Sequence, residues 1–205
     1  MSDRIWPRLG AATGTVYVLA LMGGPMLGQG TVVVAAELVA LMLFVAFAAY
    51  LTSILRAAEG PGAWLAPTVL AAVAVDTAIK FAGVGAGYAA RDLPDGRLHD
   101  ALHEINSVAF IVTMMPLALA AAATSVVVLR TRVLSRAFGW SGLAVAAALV
   151  VNGSDLGSEF GPAFLLFLAW TLALSIRLTL RVSTQTPAPA STPAAVPGIT
   201  ATVAS

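Results

Sequence analysis

The chain contains no cysteine, which excludes disulfides and any zinc or iron–sulfur site held by thiolates. It has only two histidines, His99 and His103, so imidazole-based metal chemistry has little to draw on. Charge is equally scarce: Asp, Glu, Lys and Arg make up 10% of the 205 residues, against about a quarter in ordinary globular chains. A soluble surface needs more charge than that, so one large soluble domain is excluded. A net charge of +1 leaves no basic surface for nucleic acid. There is no P-loop, no G-x-S-x-G, no H-E-x-x-H, and no G-x-G-x-x-G between a strand and a helix. The run Gly83-Val84-Gly85-Ala86-Gly87 fits small-residue packing at a helix end better than a phosphate loop. No motif implies a cofactor.

What is present is apolar. Hydrophobic residues account for 59% of the chain, and they fall into runs of the length a helix needs to cross a bilayer, about 20 residues. The reading is an all-α, six-span transmembrane bundle. A leader at 1–8 precedes spans at about 9–27, 31–55, 64–87, 101–129, 134–151 and 162–180. The transmembrane domain extends over 9–182. Residues 183–205, rich in Ser, Thr, Pro and Ala and without charge, are expected to be a disordered cytoplasmic tail, because they can bury no core. Arg4 and Arg8 precede the first run, but no A-x-A-like cleavage site follows 16–22, so it reads as a retained span. Gly10/Gly14 and Gly24/Gly28 have the small-x-x-x-small spacing that lets helices approach closely. Pro116 removes a backbone hydrogen bond within the fourth span and should kink it.

Positive charge marks the cytoplasmic side of a membrane protein. With the N-terminus inside, Arg4, Arg8, Arg56, Arg130, Arg132, Arg136, Arg177 and Arg181 lie inside, and Arg91 and Arg97 outside. Both termini are therefore expected in the cytoplasm. That orientation places most of the membrane-embedded polarity in the outer leaflet. Asp76 and Lys80 sit deep within the third span at i and i+4, on one helical face, with Lys80 about 6 Å nearer the outer surface at 1.5 Å per residue. Glu37 lies two turns into the second span. His103, Glu104 and Asn106 open the fourth. Charges inside a bilayer face the bundle interior and find partners. The six residues Glu37, Asp76, Lys80, His103, Glu104 and Asn106 form a candidate polar pocket, with Asp76 and Lys80 at its floor. A purely structural reading stands beside this one, in which Asp76 and Lys80 neutralise each other or pair with Glu37.

His99 and His103, also at i and i+4, could hold one metal with Glu37, Asp155 or Glu159 completing the shell. The Pro94-Asp95-Gly96 turn leaves open whether His99 is helical. This spacing resembles that of metal-dependent membrane hydroxylases and hydrolases, which need further ligands, and metal binding is not the favoured reading.

Leu102-His103 with Asn106 and Phe110, Leu129-Arg130 to Leu134-Ser135-Arg136, and Gly139-Trp140 with Gly142 resemble small six-span bacterial membrane proteins grouped as domains of unknown function. The resemblance covers about 98–181. It implies a six-helix bundle in a bacterial cytoplasmic membrane and carries over no catalytic residue. The expected role is a non-enzymatic membrane protein, partnered by the lipid bilayer, that binds or passes a small solute or ion. The alternatives are a membrane-embedded metal-dependent enzyme using His99 and His103, and a structural or accessory subunit packed against another membrane protein or a second copy of itself.

Overall fold

In hydrocarbon every backbone N–H and C=O must be satisfied within the bundle, which leaves a helix as the default for an apolar run. The computed structural model describes residues 5–24, 30–154 and 161–184, and among these it contains helices and no strand. The helices are α1 (Ile5–Gly23), α2 (Thr31–Glu59), α3 (Leu65–Ala90), α4 (Arg97–Val112), α5 (Met114–Thr131), α6 (Arg136–Ser154) and α7 (Pro162–Thr184). Among the described residues, five helical paths are long and apolar enough to cross a membrane: α2, α3, α4 with α5, α6 and α7. The first expected span, α1, is not among them; its 19 residues include Arg8, Thr13 and Thr15.

Several boundaries differ from the sequence reading. The leader is already helical from Ile5. α2 continues to Glu59, whose carboxylate then accepts the N–H groups of Leu65 at 3.4 Å and Ala66 at 3.1 Å. Those are free donors in the first turn of α3, where a negative charge is favourable. The glycine-rich run at 83–87 belongs to the helix, which ends at Ala90. The chain reverses between α2 and α3 through Gly60 and Gly62, at φ of 80° and 81°, a backbone region that favours glycine. The expected tail lies outside the described residues apart from its first two positions, which close α7.

The fourth expected span is two helices joined at Thr113. Pro116 has no N–H to give the carbonyl of Val112, and the irregularity falls in the turn before the proline, while Thr113 keeps helical angles (φ −66°, ψ −14°) and its N–H still reaches the Ala109 carbonyl at 3.2 Å. The Thr113 hydroxyl donates to the Phe110 carbonyl at 2.6 Å.

Small residues set the helix spacing. A Cβ on Gly10 would lie 2.8 Å from the Tyr50 ring, and one on Gly14 2.7 Å from the Phe47 ring. These contacts run α1 and α2 antiparallel, and Tyr17 continues the seam by stacking on Phe44 at 4.5 Å. Gly139 and Gly142 of α6 receive Leu129, Ser125 and Trp170. Ser175 of α7 donates to the Ala11 carbonyl at 2.6 Å and meets Thr15 at 2.9 Å. The Arg181 guanidinium donates to the Val133 carbonyl. This register gathers the N-termini of α1 and α6 and the C-termini of α2, α5 and α7 at one end, where seven arginines cluster: Arg8, Arg56, Arg130, Arg132, Arg136, Arg177 and Arg181. Large apolar side chains such as Leu19, Val39, Val75, Leu119 and Leu165 cover the outside.

Candidate functional site

Helix α3 buries one continuous stripe: Val69, Ala72, Val73, Asp76, Thr77, Lys80 and Gly83. The spacing is that of a helix packed along one face, and it carries both charged residues into the bundle. Asp76 is 0% exposed and Lys80 8%, with the Lys80 Nζ 3.1 Å from Asp76 Oδ1. The ammonium also lies 5.2 Å from the centroid of the Phe164 ring, a distance at which a ring face attracts a cation. Neither carboxylate oxygen of Asp76 has a hydrogen-bond partner of good angle among the described residues, and the hydroxyls of Tyr17 and Thr77 are likewise unpartnered. Such groups reduce stability, so this region is polar at a cost. Tyr17 is fully buried and within electrostatic range of both Asp76 and Glu37.

Lys80 opens on its other side into a cavity of about 270 Å³ at the end of the bundle away from the arginines. Glu37, Asn106, Phe110 and Phe164 form its wall, with Leu21, Val33 and Leu41 supplying apolar surface. A second, more open space of about 460 Å³ lies above it, lined by Arg91, His99 and His103. Both spaces have Glu37, Val84, Asn106 and Phe110 in their walls, so these side chains form a shared wall, the neck, where an inner cavity adjoins an outer vestibule.

Asn106 reaches the neck because α3 has glycine opposite it. A Cβ on Gly83 would lie 2.7 Å from the Ala109 Cβ, and one on Gly87 3.2 Å from the Asn106 Cγ. Two glycines one turn apart therefore let α4 close against α3. On α4, His99, His103, Asn106 and Phe110 follow the spacing i, i+4, i+7, i+11 and share the lining face. Glu104, about 100° further round at 3.6 residues per turn, is exposed and lines neither space.

Of the six pocket residues expected from sequence, the structure brings Glu37, Lys80 and Asn106 to the inner cavity and His103 to the vestibule. Asp76 lies behind Lys80 without reaching the wall. The expected floor is thus Lys80 alone, with Asp76 as its buried counter-charge. Glu37 makes no ion pair among the described residues, where the two found are Lys80–Asp76 and His99–Asp100. Sequence reasoning missed Tyr17, Arg91 and Phe164. For Tyr17 the signal was a phenol inside an apolar run, a group that needs a partner once buried.

His99 is helical. Its ring meets that of His103 edge-on, with centroids 5.5 Å apart and planes at 73°. Among the described residues no group of three or more His, Asp or Glu side chains could hold a metal. Asp155 and Glu159 lie outside the described residues.

A helical bundle with, among the described residues, five membrane-length apolar paths, a buried ion pair and a mostly apolar cavity at one end is compatible with a multi-pass integral membrane protein. Comparisons with family models, with curated proteins and with solved structures find no match for this chain.

Proposed function

We propose that the protein is a six-span protein of a bacterial cytoplasmic membrane, with both termini inside, that binds a small solute in its inner cavity from the outer side. The observation that carries this reading is the cavity itself, which joins Lys80, Glu37 and Asn106 in one mostly apolar space. Small-molecule sites take this form, with an apolar lining and a few placed polar groups. A residue kept only to hold helices together has no need of a cavity beside it.

Two features support the orientation. The arginine cluster lies opposite the vestibule, as the cytoplasmic end should. Trp6, Trp64 and Trp140, all strongly exposed, sit at the N-termini of α1, α3 and α6 on that same end, where aromatic belts mark a membrane interface. α1 counts as a span in this reading despite its lower hydropathy, because it is packed between α2 and α7 and contributes Tyr17 to the core.

The test is occlusion. Val33→Trp puts a large ring into the cavity from α2 without touching the ion pair. A panel of small ammonium, carboxylate and sugar probes should contain one that raises the thermal midpoint of the purified protein by several degrees. The same probe should leave Val33→Trp unmoved. Equal stabilisation of both proteins would place binding elsewhere and contradict the proposal.

A further inference from the structure

Resting on that binding reading, the geometry points to a ligand class: we infer that the cavity takes a small amphiphilic organic monocation, with Glu37 as its counter-charge. Three charged side chains matter at the inner site. Lys80 and Asp76 neutralise each other at 3.1 Å. Glu37, half-buried in the neck, makes no ion pair among the described residues and feels Lys80 only across the cavity, so the three side chains together carry one net negative charge. A site with one net negative charge favours a cation over an anion, and the Asn106 amide oxygen in the same wall can accept a second N–H.

The approach has the same sign. Residues 91–104, which include the connection above the vestibule, carry four carboxylates against two arginines. Arg91 faces the vestibule but is exposed and lies 5.6 Å from the Tyr88 ring centroid; solvent screens its charge more than that of the half-buried Glu37.

Size and polarity limit the rest of the ligand. An apolar cavity of about 150 Å³ accepts benzene, so 270 Å³ holds a ring with a short chain. Below the neck the wall is largely apolar, with Leu21, Val33, Leu41 and Phe110 on it. Lys80 at the floor repels any second positive charge. The ligand therefore carries its cation at one end, near Glu37, and directs an apolar body inward.

The experiment uses the full-length chain in lipid nanodiscs and calorimetric titration, with empty nanodiscs subtracted. The probes are 2-phenylethylammonium and 3-phenylpropionate, similar in shape and opposite in charge. The ammonium should bind the wild type, and Glu37→Gln should weaken it at least about tenfold, as expected for removing one partner of a partly buried charge pair. An unchanged thermal midpoint for unliganded Glu37→Gln would show that the fold is intact. Tighter binding of the carboxylate, abolished by Val33→Trp, would overturn the charge preference and leave the cavity reading standing. Ammonium binding indifferent to Glu37→Gln would also overturn the inference. Binding of neither probe would overturn this inference and leave the cavity reading to its wider panel; binding indifferent to Val33→Trp would overturn both.

Discussion

Lys80→Met should lower the free energy of unfolding by about 3–5 kcal/mol, the usual effect of removing one partner from a buried ion pair. The variant leaves Asp76, fully buried and with neither oxygen otherwise hydrogen-bonded, without its counter-charge. Asp76→Asn should cost less. Lys80 borders the cavity, where water and the nearby Glu37 can offset its charge. The double variant Asp76→Asn/Lys80→Met removes both charges together and should recover most of the loss, since two uncharged side chains replace a pair that was itself expensive to bury. The check is a double-mutant cycle, with unfolding followed in mixed micelles. Additive losses would mean that the two side chains do not act as a pair.

Gly142→Leu should destabilise the bundle by about 1–3 kcal/mol or more, in the range for overpacking a close-fitting core. A Cβ at this position would collide with the Ser125 Oγ and lie 2.7 Å from Trp170 Cζ2. Neither neighbour is free to move away. The Ser125 hydroxyl donates to the Ala121 carbonyl at 2.7 Å, and the Trp170 indole N–H donates to the Phe138 carbonyl at 3.3 Å. Gly85, with nothing within 4 Å of its missing Cβ, is the control: Gly85→Ala should be neutral or slightly stabilising, since alanine is the better helix former. A thermal midpoint for Gly142→Leu equal to that of Gly85→Ala would contradict this account of the α5–α6 seam.

Much of this was legible in the chain because long apolar helices leave strong marks. Asp76 and Lys80 stand out within an apolar run, and their i, i+4 spacing already dictated a shared face. Most of the arginines fall between the apolar runs that meet at one end of the bundle. What could not be read was helix rotation, which depends on the partners each helix packs against. His103, Glu104 and Asn106 are close in sequence, yet only two of them line the site, because the glycines at 83 and 87 choose which face of α4 closes on α3. The clue was present in the His99, His103, Asn106, Phe110 spacing, which selects that face and leaves Glu104 off it. Asp76 behind Lys80 was hidden for a similar reason: an i, i+4 pair shares a face but not a depth. Tyr17 and Phe164 come from the first and last helices, and only the tertiary arrangement brings them to the third. Pro116 marked the irregular turn of the fourth span, which falls at Thr113 because the lost hydrogen bond belongs to the turn preceding the proline.

The central claim is that Glu37, Asn106 and Lys80 surround a space open to the outer side of the membrane. A chain without cysteine allows a direct measurement: Asn106→Cys, probed in intact cells with a membrane-impermeant thiol reagent, with Ser53→Cys near the arginine end as the opposite-face control. The account predicts that the cysteine at 106 is modified from outside, that the one at 53 is not until the membrane is opened, and that Val33→Trp slows the first reaction. Modification at 106 only after permeabilisation, or at a rate indifferent to Val33→Trp, would contradict it.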